Sequence, residues 1–241
     1  MTISVDREIV YPERDGQPMA DNTKQFRWIV LLKENLECVF ADDPLVFVAG
    51  DLLWYPVEGH PEIRSAPDAM VVFGRPKGDR GSYRQWQEEN IAPQVVLEVL
   101  SPGNTLKEMA KKQQFYDRYG VEEYYLYDPD KNDLNGWLRS ADEFVVIDEI
   151  TDWQSPRLGI RFVLTEETLE IYYPDGQRFL TTVELAARRA EAELQATQAK
   201  LELEATNLQL EATNLQLEEE RSRSARLAEQ LRALGVDPDS V

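Results

Sequence analysis

The chain has one cysteine, Cys38, and one histidine, His60, among its 241 residues. One cysteine excludes an internal disulfide and leaves no thiolate cluster for zinc. One histidine excludes a multi-histidine metal centre. Metal chemistry must therefore use oxygen ligands, which suit Mg²⁺, Mn²⁺ or Ca²⁺. Basic residues are scarce too: 26 Lys and Arg stand against 45 Asp and Glu, a formal charge of −19. A basic coat for sequence-independent nucleic-acid binding is excluded, so any such contact has to come from a local patch. No apolar run is long enough to span a membrane, and the residues from Met1 to Arg14 lack the apolar stretch of a secretory signal. The expected location is the cytoplasm, with no membrane partner. With 42 % hydrophobic and 29 % charged residues the chain is expected to fold, and its length allows one domain plus an extension.

A second absence is local. From residue 183 to Leu234 there is no glycine, no proline and no aromatic residue. This stretch contains a repeat: Glu204-Ala205-Thr206-Asn207-Leu208-Gln209-Leu210 recurs unchanged as Glu211 to Leu217. Seven residues is the heptad period. Leu194, Leu201, Leu208 and Leu215 share one seam, and Ala205 and Ala212 complete it with Ala at a and Leu at d. Leu203, Leu210 and Leu217 form a second stripe about 200° round the helix. Two stripes suggest either a bundle of more than two helices or packing against the domain; a coiled-coil helix over 183–234 that joins copies of the chain is expected, with a long solvated helix as the plainer alternative. Gly235 and Asp237-Pro238 read as its stop.

Before residue 182 the pattern is α/β. Asp21-Asn22-Thr23 offers N-caps for a helix to about Phe40, with Phe26, Ile29, Val30, Lys33 and Leu36 near helical spacing. Strands are expected over 45–55, 69–73, 94–100, 123–127, 135–139, 144–150 and 169–173. A second helix fits Thr105 to Tyr119, closed by Gly120, and turns fit 130–135 and 174–176. This order implies a mixed β-sheet core flanked by helices.

Three residues stand out chemically. Asp68 follows Pro67 immediately before the strand Ala69-Met70-Val71-Val72-Phe73. Glu98 interrupts Val95-Val96-Leu97-Glu98-Val99-Leu100, a run apolar on both faces and so expected to be a buried strand. A carboxylate there must be paired, protonated or bound to a metal, a plain salt bridge being the alternative to a functional role. On the following helix Lys107, Lys111, Gln114 and Arg118 form a polar stripe. Met109, Lys112, Tyr116 and Tyr119 form a mainly apolar one. Lys112 is thus the lysine turned toward the core, and Lys111 toward solvent; a lysine stem passing aromatics to reach water is the alternative. Two carboxylates on strands plus a lysine suit metal-dependent phosphodiester cleavage. Oxygen ligands hold the metal, and a lysine offsets transition-state charge.

Pro67-Asp68, then Pro93 to Pro102 around Glu98, then Lys112-Gln113-Gln114-Phe115-Tyr116, then Gly120-Val121-Glu122-Glu123-Tyr124-Tyr125-Leu126-Tyr127-Asp128-Pro129 resemble the bacterial putative restriction endonuclease family of the PD-(D/E)XK nuclease superfamily. The resemblance covers about residues 20–180. It implies a restriction-endonuclease-like α/β core and cleavage of DNA with Mg²⁺ or Mn²⁺. Asp68 matches the first acidic residue and Glu98 the second, which makes them the metal ligands. Two residues after Glu98 the motif has a lysine where this chain has Leu100. Lys112 matches a lysine that takes this role from the next helix.

The expected organisation is an N-terminal extension (1–20), a nuclease-like domain (21–182), a coiled-coil helix (183–234) and a tail (235–241). Asp51 is a further candidate acid, a turn or strand-edge role being the alternative. Arg75, Lys77, Arg80 and Arg84, with Tyr83 and Trp86 interleaved, form the densest basic patch and a candidate nucleic-acid contact; an ordinary surface loop is the alternative. Asp128 before Pro129 reads as a turn, and His60 as a loop residue. The leading reading is a metal-dependent DNA endonuclease with Asp68, Glu98 and Lys112 as catalytic residues. The runner-up is a degenerate nuclease fold that binds nucleic acid or protein and displays a coiled coil.

Overall fold

The computed structural model of the chain describes residues 9–14, 16 and 18–235. Residues 1–8, 15 and 17 of the expected extension, and the Asp237-Pro238 part of the expected helix stop, lie outside them. The described residues up to Thr181 form one compact unit and those from Thr182 a second.

The first unit opens with α1 (Thr23–Val39), followed by β1 (Val46–Ala49), β2 (Trp54–Tyr55), β3 (Ala69–Phe73) and β4 (Tyr83–Arg84). A 3-10 turn, Gln85–Gln87, precedes β5 (Val95–Val99), α2 (Leu106–Arg118) and β6 (Glu123–Asp128). Then come β7 (Asp133–Ser140), β8 (Glu143–Val146), β9 (Trp153–Gln154), β10 (Arg161–Leu164) and β11 (Leu169–Tyr172). The main sheet has six strands in the order β1-β3-β5-β6-β7-β8, with β11-β10-β9 in a second sheet and β2-β4 in a third. Every pair in the main sheet is antiparallel except β5 with β6. Parallel neighbours need a crossover, and α2 supplies it.

The two faces of the main sheet bury different partners. Val95, Leu97 and Val99 of β5 pack with Ile29, Leu32 and Leu36 of α1 and with Phe162, Leu169 and Ile171 of the second sheet. Val96 of β5, with Met70 and Val72 of β3, packs with Tyr116 of α2, Trp54 and Tyr83. The pleat therefore sends alternate residues of one strand into two separate cores. This is why β5 reads apolar on both faces, with Glu98 the exception.

Several elements depart from expectation in instructive ways. The expected strand over 45–55 is two strands. Gly50 has no room for a side chain without pressing on the Asp68 carbonyl 3.3 Å away, and Asp51 takes φ of 48°. The chain turns there, and β2 leaves the main sheet to pair in parallel with β4. Strands β4, β9 and β10 have no counterpart among the expected elements; two of them are only two residues long, too short for a period to show. Helix α1 starts at its expected cap, Asn22, whose side chain accepts from the Lys24 and Gln25 N–H groups. Its buried face, however, is Gln25, Ile29, Leu32, Asn35 and Leu36, while Phe26 is 47 % exposed. Gln25 goes inward because its Nε2 donates to the Val99 carbonyl at 2.9 Å, at the end of β5, while its Oε1 accepts from the Asp21 N–H.

Helix α2 begins at Thr105 with a capping box completed by Glu108, and Gly120, at φ 89°, follows its end. Met109 and Tyr116 are buried, whereas Lys107, Lys111, Gln114 and Arg118 are exposed.

The second unit contains α3 (Thr182–Ala233), one unbroken helix of 52 residues with none buried. At about 1.5 Å per residue it is roughly 78 Å long. Thr197, Thr206 and Thr213 donate their hydroxyls to carbonyls four residues back, which satisfies them without a partner helix. Gly235, at φ 78°, closes it. No helix among the described residues is long and apolar enough to cross a membrane.

The α1 geometry carries a test. Gln25→Ala is expected to cost about 1–3 kcal/mol, because it strips a buried carbonyl of its donor. Phe26→Ala is expected to stay within about 0.5 kcal/mol of wild type. Urea unfolding of both variants measures this, and the reverse order would contradict the assigned face.

Candidate active site

The last β3–β5 pair in the register is Ala69 with Leu97. One step further, Asp68 stands opposite Glu98. Facing residues of an antiparallel pair share a face, with Cβ atoms about 4.5–5.5 Å apart. That face is the α2 side, since Met70, Val72 and Val96 lie on it. Both carboxylates are buried, at 7 % and 3 % exposure. Asp68 Oδ2 accepts the Val99 N–H at 2.7 Å, so the aspartate caps the end of the neighbouring strand.

Glu98 is gripped from α2 by two residues one turn apart. Lys112 Nζ lies 2.7 Å from Glu98 Oε2, and the Tyr116 hydroxyl donates to Glu98 Oε1. Positions i and i+4 of a helix lie one above the other, so each takes one oxygen of the same carboxylate. Tyr116 is fully buried and stacks on Trp54 with planes 4° apart. Its hydroxyl also contacts Ser65 Oγ at 2.9 Å. The apolar stripe in the sequence located Tyr116, but a tyrosine there reads as core, and only the fold reveals its hydroxyl as a ligand of Glu98.

Charge and burial set the electrostatics. Burial raises the Asp68 carboxyl well above the ordinary range, the negative charge of Glu98 adds to this, and Lys112 and the Val99 N–H oppose it only in part. Burial works against the Lys112 ammonium, but the charges of Glu98 and Asp68 outweigh it, and its pKa is raised. The Tyr116 phenol is raised too, by burial and then by Glu98, so it stays a donor.

Asp68 and Lys112 of this cluster line a cavity of about 620 Å³, while Glu98 and Tyr116 do not reach its lining. One wall is Arg64, Ser65, Ala66 and Asp68, leading into β3; another is Asn104, Glu108, Met109, Lys111 and Lys112 of α2 and its cap. Asp51 also lines it, brought there by its N–H bond to the Pro67 carbonyl at 3.0 Å, and its negative charge acts on both Asp68 and Lys112. Lys111, expected to face solvent, is exposed and at the same time lines the cavity. Arg64 and Asp21 line it as well, and nothing in their local sequence marked them.

The basic loop sits elsewhere. None of Arg75, Lys77, Arg80 and Arg84 lines the cavity. Arg75 and Arg80 both pair with Glu88, at 2.9 and 2.7 Å, and Lys77 donates to the Phe40 carbonyl at 2.6 Å. Arg84 lies over the Tyr11 ring. His60 is an exposed loop residue beside Glu62, and Asp128 accepts from the Asp130 and Lys131 N–H groups in a turn.

Asp68 and Glu98 offer the donor set a hard divalent cation accepts: carboxylate oxygens on neighbouring strands, with Asp68 at the cavity wall. Among the described residues no group of three His, Cys, Asp or Glu side chains is placed to hold a metal. Two carboxylates nevertheless suit Mg²⁺, which keeps water and substrate phosphates as its other ligands.

The family described as "Uma2: Putative restriction endonuclease" matches residues 15–206. The match spans the sequence resemblance and runs on into α3. Among solved structures, the crystal structure of a "putative nuclease belonging to DUF820" from Anabaena variabilis ATCC 29413 aligns at 18 % identity and a TM-score of 0.44, over 59 % of this chain and 77 % of that one. No curated protein matches the chain.

Proposed function

The chain belongs to the Uma2 family, and on that premise we propose that it is a DNA endonuclease that uses Mg²⁺ or Mn²⁺ held by Asp68 and Glu98. The observation that carries the reading is the facing pair of buried carboxylates, of which Asp68 lines the cavity together with Lys112, whose ammonium lies 2.7 Å from Glu98. A bound divalent ion would polarise a phosphodiester and acidify water near it.

The chain's own residues divide the remaining work. Lys112 keeps its proton through neutral pH, because its pKa is raised. It therefore acts as a fixed positive charge that steadies the developing phosphate charge and orients a nucleophile, not as a general base. Tyr116 fixes the other oxygen of Glu98, so the carboxylate is oriented before substrate arrives. Leu100 shares the strand face of Glu98 but contributes no charge, which leaves the lysine role to α2. Asp51 acts on the site through its charge. Arg75 and Arg80 are held by Glu88, and Lys77 by the Phe40 carbonyl and Glu37, so any contact of this loop with duplex flanks falls to Arg84.

The second reading, a binding module without turnover, draws on one observation: Lys112 and Tyr116 already satisfy both oxygens of Glu98. Incubating plasmid, linear and single-stranded DNA with the protein over a series of Mg²⁺ and Mn²⁺ concentrations separates the two. Cleavage is expected, with Lys112→Gln lowering turnover about 10²–10³-fold and Lys107→Ala, on the exposed stripe, leaving it unchanged. DNA bound but never cut, or full activity in Lys112→Gln, would sink the catalytic assignment.

Helix α3 is proposed to pair with a second copy of the chain. Leu194, Leu201, Leu208 and Leu215 are each 60–67 % exposed on one seam, and burying them needs a partner helix. Alanine at the a positions keeps the association weak and concentration-dependent. Light scattering is expected to give a dimer mass for the full chain and a monomer mass for Leu201→Glu/Leu208→Glu; a monomeric wild type at tens of micromolar would remove this proposal and leave the nuclease reading intact.

A further inference from the structure

We infer that Arg64 and Lys111 are the phosphate-binding residues of the cavity, holding the nucleic-acid strand on either side of the bond presented to Asp68 and Glu98. The inference rests on the nuclease reading for its substrate class, but the residues come from an independent observation: where the cations lie and which of them are already spent.

Among the described residues three basic ones line the cavity, Arg64, Lys111 and Lys112. Lys112 is committed to Glu98. Arg64 and Lys111 form no ion pair with any described residue, in a chain whose formal charge is −19. The single hydrogen bond of Arg64, from Nη1 to the Pro61 carbonyl at 3.2 Å, leaves most of its donor fork available. On the α2 wall the nearest counter-charge to Lys111 is Glu108, whose carboxylate is taken up by the Thr105 N–H and hydroxyl in the helix cap. Two uncommitted cations in an acidic cavity are placed for a ligand that brings its own negative charge.

Arg64 is also mounted rigidly. Its neighbour Ser65 exchanges both backbone hydrogen bonds with Trp54, at 2.8 and 3.2 Å, and Trp54 is fully buried. Four residues later the same segment delivers Asp68. Lys111 stands next to Lys112 on α2. Each cation is therefore adjacent in chain to one side of the catalytic cluster, Arg64 to the Asp68 side and Lys111 to the Lys112 side. A strand bound by both would pass Asp68 and Lys112, the members of that cluster that line the cavity. The loop that looked most basic in sequence cannot do this, since Arg75 and Arg80 are paired with Glu88 and Glu89 and none of its cations lines the cavity.

The test is a salt titration of DNA binding by the full chain, with Ca²⁺ replacing Mg²⁺ and a labelled duplex and its single strand as probes. Each phosphate contact contributes about −0.9 to the slope of log K against log salt for duplex and about −0.7 for a single strand. Arg64→Ala and Lys111→Ala are each expected to reduce the slope by about 1 and to weaken duplex binding roughly 5- to 10-fold at 0.1 M salt. Arg64→Lys should keep the slope, and Arg75→Ala should change neither quantity. Melting temperatures within a few degrees of wild type confirm that the variants fold. An unchanged slope in Arg64→Ala and Lys111→Ala would overturn the inference, as would wild-type protein that binds neither probe. Wild type that binds with these slopes yet never cuts with Mg²⁺ or Mn²⁺ would refute the nuclease reading and leave the phosphate sites standing.

Discussion

Two carboxylates buried face to face on neighbouring strands are the constraint around which this domain is built. Asp68 and Glu98 repel each other in a low-dielectric setting. The sheet itself offers only the Val99 N–H, which goes to Asp68. The rest of the relief comes from α2, as Lys112 and Tyr116 on Glu98. The crossover between the parallel strands β5 and β6 has to pass over this face, so the helix that topology demands is also the helix that carries the compensating charge. An ammonium compensates only part of the burden, since Asp68 remains raised well above its ordinary range. The residual demand for positive charge is what the proposed divalent cation would meet.

The surrounding architecture serves to hold that arrangement still. The Gly50–Asp51 turn breaks the first strand and brings a third acid to the rim, because a residue with a side chain at 50 would press on the Asp68 carbonyl. Stacking of Trp54 on Tyr116 ties the small β2–β4 sheet to the helix that grips Glu98. On the opposite face Gln25 secures the end of β5 to α1. Asp51 and Gln25 themselves line the cavity, and each of these contacts restricts where Glu98 and Asp68 can point.

How much of this the sequence discloses depends on whether a residue violates its local pattern. Glu98 is legible because it breaks an apolar run, and Asp68 because Pro67-Asp68 marks a strand entrance. Lys112 is legible because it sits on the apolar stripe of α2. Tyr116 violates nothing, so its polar role stays hidden. Gln25 lost to Phe26 in the sequence for a related reason: hydrophobicity places the aromatic inside, while the need of one strand-end carbonyl for a donor places the amide there instead. The density of charge in Arg75 to Arg84 does not disclose that Glu88 and Glu89, close by in sequence, form ion pairs with Arg75 and Arg80. Arg64 and Lys111 are single, ordinary surface charges until the fold sets them on the walls of one cavity. The strand break at Gly50 was visible as a glycine, but the reason for it, the approach of a backbone 18 residues away, is tertiary.

The measurement that bears most directly on the buried carboxylate pair is denaturant stability across pH, for wild type and Asp68→Asn, in chelator and in Mn²⁺. A carboxyl raised in the folded state favours the protonated protein, so its contribution to stability is present at low pH and is lost as pH rises through the folded pKa. In chelator, wild type is therefore expected to lose stability relative to Asp68→Asn as pH rises from the ordinary carboxylate range toward neutrality, and the variant to be the more stable at neutral pH. Mn²⁺ should restore the wild type and leave the variant unmoved. Parallel pH profiles in chelator, or equal stabilisation of both proteins by Mn²⁺, would contradict the account.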